Sequence, residues 1–287
     1  MAARRLILVA DDYAISPAVS AGIRELAIKN RLTATGVMAT MPDWPAEAPA
    51  LRALKDRIAV GLHFTLTDQR PLGPLPNLAP TGRFPGVNQL LLRSVLGRIP
   101  EQEVADEFER QLDRFEAFFG APPDFIDGHQ HVHLFPGIWP VIHAAFGRRL
   151  DPSLCWLRDC WDPHFWRRGS LIKAGVISTL GRAAHLAART RGLRSNRGFS
   201  GFYDYQGGNL ARYFVPMLKG ASDLHLMMVH PGHVDDSLRA VDSLIEPRQQ
   251  EYDYLSGDQF PADLASLGFK LALPLTEPVI PGHIAAL

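Results

Sequence analysis

Short, unbroken apolar runs alternate with segments of helical period along most of this chain, and that alternation restricts the fold more than any other feature. A strand that is apolar on both faces has to be covered on both faces. Parallel strands joined by crossover helices achieve this. Leu6-Ile7-Leu8-Val9-Ala10 is such a run, and Ser16-Pro17 then supplies an N-cap and a first-turn proline, predicting a helix to about Lys29. Residues 34–39 read as a second strand, 45–54 as a helix and 58–62 as a third strand ending at His63. Val104, Phe108, Leu112, Phe115 and Phe119 recur at three-and-four spacing before Gly120, which predicts an amphipathic helix over 101–119. Further along, residues 125–128, 156–158, 224–229 and 271–273 read as strands, and 137–148, 170–191 and 209–218 as helices. Residues 68–100 break the rhythm with prolines and glycines and read as an excursion over one rim, a candidate lid or substrate loop.

About seven strand–helix alternations in 287 residues, 46% of them apolar, favour an α/β chain closed or nearly closed into a barrel over an open doubly wound sheet. No repeat or linker divides the sequence, so residues 1–287 are expected to form a single domain. After the first strand stand Asp11-Asp12-Tyr13, without the glycine-rich turn that would cradle a dinucleotide. Thirty basic and thirty acidic side chains balance, leaving no electrostatic footprint for nucleic acid or anionic lipid; a small, roughly neutral substrate fits better. Cys155 and Cys160 match neither a redox nor a zinc-knuckle spacing and read as small buried hydrophobes. Arg4-Arg5 before residues 6–10 superficially resembles a signal peptide. The apolar run is too short and ends in two aspartates, so no membrane span and a cytoplasmic protein are expected. The oligomeric state stays open, with a homodimer as one assembly.

The chemistry concentrates at strand ends. Asp11-Asp12, His63, His129 and His230 each lie at the expected C-terminal end of a different strand, and in a barrel those ends share one mouth. Imidazole and carboxylate ligands from separate strands suit a divalent ion such as zinc, and three protein ligands leave a position open for water. Neighbouring residues on a strand point to opposite sides, so one of Asp11 and Asp12 is expected to bind the metal and the other to handle protons. His129, His131 and His133 alternate, and extended backbone would spread them over about 13 Å, so one ion should take one or at most two. His230 is a candidate general acid across the mouth, with a turn histidine before Pro231-Gly232 as the plain reading.

Three segments resemble motifs of the YdjC-like carbohydrate deacetylases, the family of the chitooligosaccharide deacetylases. Val9-Ala10-Asp11-Asp12-Tyr13-Ala14-Ile15-Ser16 resembles ADDFGLS, Gly61-Leu62-His63-Phe64-Thr65-Leu66-Thr67 resembles GLHxxLT, and Asp127-Gly128-His129-Gln130-His131-Val132-His133 resembles DSHxHVH. His230-Pro231-Gly232 is similar to a later His-Pro element. The departures are Tyr13-Ala14 for Phe-Gly and Gly128 for Ser. The resemblance implies a distorted TIM-like (β/α) barrel, with a divalent ion, zinc or magnesium, on Asp12, His63 and His129. It further implies Asp11 as base, His230 as acid and an N-acetylated sugar as substrate. A metal-dependent phosphoesterase, a sugar isomerase or a non-catalytic sugar- or metal-binding protein are the alternatives on the same barrel.

Overall fold

The computed structural model describes residues 3–167, 171–205 and 210–273. Ser170, Asn209 and His283 lie outside them. The first strand, β1 (Arg4–Tyr13), leads into α1 (Pro17–Ile28), whose N-cap Ser16 accepts a hydrogen bond from the Val19 amide. Then come β2 (Ala34–Val37), α2 (Trp44–Arg52) and β3 (Ala59–Phe64). After α3 (Val87–Val95), α4 (Glu101–Phe119) ends on left-handed Gly120. All five expected apolar positions of α4 are buried, each contributing about 1.5–3 kcal/mol. The chain continues through β4 (Phe125–Gly128), a 3-10 turn (His129–Leu134), α5 (Trp139–Ala145), β5 (Trp156–Leu157) and α6 (Leu171–Thr190). It ends with β6 (Phe199–Ser200), α7 (Ala211–Leu218), β7 (His225–Val229), α8 (Asp236–Val241), α9 (Glu246–Ser256), α10 (Gln259–Ser266) and β8 (Phe269–Leu271).

Every strand pairing among the described residues is parallel, in the order β5-β4-β3-β2-β1-β7-β6, with β8 on the first residues of β1. The sheet curls into a half-barrel ringed by helices. Its two edges approach where the Leu157 amide donates to the Arg194 carbonyl, 2.9 Å away, just upstream of β6. The architecture is therefore the nearly closed barrel that the alternation favoured, in the distorted TIM-like form that the resemblance implied. No helix among the described residues is long and apolar enough to cross a membrane.

Strand alternation sorts the core. Ile7, Val9, Phe125, Trp156, Phe199, Leu226 and Met228 form one cluster on the enclosed face. Leu6, Leu8, Ala10, Val60, Leu62, Ile126, Leu157, Met227 and Val229 join the larger cluster beneath the helices. Continuing the enclosed-face parity of each strand by one step reaches Asp11, His63, Asp127, Arg158 and His230. Gly61 shares that face because the Phe125 ring fills the place of its side chain: a Cβ there would lie 2.5 Å from the ring.

The excursion is anchored to the barrel. Residues 87–95 form a helix, and residues 68–86 are pinned to α4, with buried Glu107 accepting from the Leu72 amide and Glu103 from those of Asn77 and Leu78. Its ends close on each other through Asp68 N–H to the Pro85 carbonyl and Phe84 N–H to the Gln69 carbonyl. The loop is tied down along its length. Helices α8, α9 and α10 had no counterpart in the sequence reading, since α9 is polar almost all round and shows no apolar stripe.

Candidate active site

Alternation would send Asp11 inside and Asp12 outside, yet both are buried at the same mouth. The pairing of β1 with β2 slips between Ala10 and Tyr13, and Asp12 takes a left-handed backbone with φ 69°. This bulge turns Asp12 back towards the site. The turn after β4 also leaves strand geometry: Gln130 and His131 have φ of 52° and 60°, so the backbone is coiled where extended spacing was expected. His129 reaches the mouth, while His131 and His133 lie to one side, 3.8 and 3.7 Å from the Cys160 sulfur.

Asp12 Oδ1 lies 2.8 Å from His129 Nδ1 and 3.3 Å from His63 Nε2, and one ligand atom from each of the three residues falls within 4.8 Å of the others. Two imidazole nitrogens and a carboxylate oxygen converging on one small volume is a donor set that fits a divalent cation. The other nitrogen of His63 is 2.6 Å from Asp127 Oδ1, the carboxylate–histidine pairing that fixes an imidazole's tautomer and orientation. Gly36 leaves room for that ring, since a Cβ there would sit 3.0 Å from His63 Nδ1.

Two buried arginines complete the electrostatics. Arg158 grips Asp11 with both terminal nitrogens, at 2.5 and 2.8 Å, and its Nη2 is also 2.5 Å from Asp127 Oδ2, a charge contact without hydrogen-bond alignment. Arg248, on α9, bridges Asp12 Oδ2 and Asp242 Oδ2, each at 2.6 Å. Burial would push the Asp11 carboxyl up, but the Arg158 charge and hydrogen bonds outweigh it and hold Asp11 ionised far below its usual range. Asp12 behaves likewise, with burial overcome by His129 and Arg248. Burial would strip His63 of its proton, yet the Asp127 and Asp11 carboxylates and the Asp12 hydrogen bond raise its pKa to about 10. The same carboxylates that hold His63 protonated favour positive charge at this centre.

His230 follows β7 on the same rim and lies close enough to Asp11 to favour its ionised form. Its backbone amide donates to Glu251 of α9, which also accepts from the Tyr203 hydroxyl. Its Nδ1 has no hydrogen-bond partner among the described residues, and the Tyr205 ring packs edge-on at 5.9 Å. The arrangement can bind a cation, hold an anionic proton acceptor beside it and present an imidazole nearby.

Sequence reading missed Arg158, Asp127, Arg248 and Glu251 as site residues. The first two were within reach of the parity argument, because Arg158 stands one step beyond inward-facing Trp156 and Asp127 one beyond Phe125. Arg248 and Glu251 carry no local signal. Of the remaining histidines, His143 is buried against Trp139, and His185 pairs with Asp159 under the Trp161 ring. Trp44 and Trp156 are core residues, whereas Trp166 is half exposed. Both cysteines are free and buried, as their spacing indicated.

Comparison with known proteins gives the same placement. The chitooligosaccharide deacetylase of Yersinia pestis (strain Pestoides F) is 31% identical over 273 residues, covering 93% of this chain and 96% of that one. That of Enterobacter sp. (strain 638) is 28% identical over 271 residues, with 93% and 96% coverage. A crystal structure from Enterococcus faecalis V583, provisionally named a cellobiose-phosphate cleavage protein, superposes with a TM-score of 0.73 over 95% of this chain and 98% of that one at 22% identity, which supports the fold. The model of the YdjC-like protein family matches residues 5–266, and the chain belongs to that family.

Proposed function

We propose that this protein is a metal-dependent hydrolase that removes the acetyl group from an N-acetylated sugar, an N-acetylglucosamine-containing oligosaccharide or conjugate. The observation that carries the reading is the convergence of the Asp12, His63 and His129 ligand atoms beside the Arg158-held Asp11. The relatives named chitooligosaccharide deacetylase supply the substrate class. Asp12, His63 and His129 would hold the ion, and two imidazoles with one carboxylate suit zinc better than magnesium. When bound, a divalent cation polarises the amide carbonyl and makes a water acidic enough to attack near neutral pH.

Asp11, ionised at every physiological pH, accepts the proton that the attacking water sheds. Arg158 keeps that carboxylate in place, and Asp127 keeps His63 turned towards the centre. His230 returns a proton to the nitrogen of the departing amine, which leaves poorly unless protonated. Glu251 fixes the backbone of His230 for that transfer.

The test is acetate release from N,N′-diacetylchitobiose by zinc- or magnesium-reconstituted protein. Asp11→Asn should keep its metal and lose turnover by about 10²–10⁴-fold. A fully active Asp11→Asn removes the base assignment, and a wild type that frees no acetate from any N-acetylated sugar removes the deacetylase reading.

A further inference from the structure

Asp68 and Gln130 are both non-glycine residues with left-handed backbones, at φ of 58° and 52°, and they are joined by a hydrogen bond from Gln130 Nε2 to Asp68 Oδ2 of 3.1 Å. Gln130 directly follows His129, and Asp68 lies just beyond the β3 end that carries His63. Both are half-buried, at the rim. Left-handed backbone is unfavourable for most residues with a Cβ, Gln130 among them and Asp68 less so, and such residues persist where surrounding structure over-determines them, clustering at ligand sites. The surroundings here do so: Asp68 N–H is tied to the Pro85 carbonyl, the Gln69 side chain reaches the Val241 carbonyl, and the loop behind them is anchored on α4. Among the described residues, Asp68 Oδ1 accepts no hydrogen bond, so one oxygen of a fixed carboxylate is left for an outside donor.

We propose that Asp68 and Gln130 form the hydroxyl-recognition edge of the site, Asp68 accepting hydrogen bonds from hydroxyls of the ring that bears the acetamido group and Gln130 holding that carboxylate in register. This rests on the sugar reading above. A carboxylate braced by a neutral amide selects neutral hydroxyl donors and disfavours anionic ligands. A site built to bond a substrate hydroxyl rejects an analogue that lacks it, because its own polar group then goes unpaired.

The experiment titrates zinc-loaded wild type, Asp68→Ala and Gln130→Ala with N,N′-diacetylchitobiose, and with N-cyclohexylacetamide as an amide without hydroxyls, by saturation-transfer NMR. Asp68→Ala should weaken disaccharide binding about 10–100-fold and Gln130→Ala by less, with zinc content and cyclohexylacetamide binding unchanged. Asp68→Asn, which keeps size and fold, should fall between wild type and alanine. Three results overturn the proposal: equal disaccharide affinity in wild type and Asp68→Ala, no disaccharide binding by wild type, or equal losses for both ligands. Wild type that binds the disaccharide but frees no acetate would sink the deacetylase reading and leave this one standing.

Discussion

Two sets of imidazoles share the neighbourhood of the turn after β4, and they differ in what surrounds them. His63 and His129 meet the Asp12 carboxylate, and His63 also meets Asp127. His131 and His133 meet the Cys160 thiol and, for His131, the rings of Phe199 and Phe202. Burial is similar in the two places, but the consequence is opposite. His63 is raised to about 10, whereas burial and the Arg158 charge push His131 down to about 3, and burial with His131 and Arg158 holds His133 well below its usual value. A carboxylate within reach decides whether a buried imidazole attracts a cation or stays neutral. The alternating histidines in the sequence look equivalent, and in the fold they are not.

This contrast can be broken experimentally, most severely at the carboxylate side. Asp12→Ala or His63→Ala should remove the bound metal and lower acetate release together, by on the order of 10³-fold or more, since even loss of an outer partner costs 10–100-fold. Metal analysis of the purified variants beside acetate assays checks this, and full metal occupancy in either variant refutes the ligand set. Asp127→Asn keeps an acceptor for His63 but not the charge, so metal affinity should fall about 10–100-fold. A competing chelator measures it, with unchanged affinity as the contrary result.

The protonated His63 gives the next effect. Below its pKa of about 10 the metal-free site carries a proton that an entering cation has to displace, so affinity rises with pH, by about tenfold per unit for one proton released. His131 and His133 are already neutral across pH 6–8 and add no slope. Zinc titration at pH 6, 7 and 8 reads the sign directly, and affinity that is flat or falls with pH contradicts the carboxylate-dominated picture. The smallest change belongs to the thiol side: Cys160→Ala should leave metal content and turnover within about twofold and lower stability by about 1 kcal/mol. Urea unfolding and the same assays test it. A variant that loses its metal would show that the two sets of imidazoles act as one.

How much of this was legible beforehand depends on the regularity of the backbone. The helix over 101–119 was readable to the residue, because its apolar period and terminal glycine are local signals. Strand ends at His63 and His230 followed from apolar runs, although β3 continues one residue past His63. The segment 68–100 read as a lid or substrate loop, and its proline and glycine gave no sign of how it is anchored. Its ties to Glu103 and Glu107 join positions about 30 residues apart. Arg248 and Glu251 stayed invisible because α9 shows no apolar stripe and meets Asp12 and His230 across more than 20 residues of sequence.

By itself the sequence determined the parallel α/β architecture and, through period-two alternation along each strand, an enclosure faced by Asp11, His63, His129 and His230, with the unread Asp127 and Arg158 on the same parity. Tertiary structure alone decided that Asp12 joins Asp11 on the same side, and that His131 and His133 do not follow His129 into the site. Both outcomes come from backbone departures from regular strand geometry, a bulge at Asp12 and left-handed residues at Gln130 and His131, and such departures are imposed by pairing and packing that no local pattern encodes.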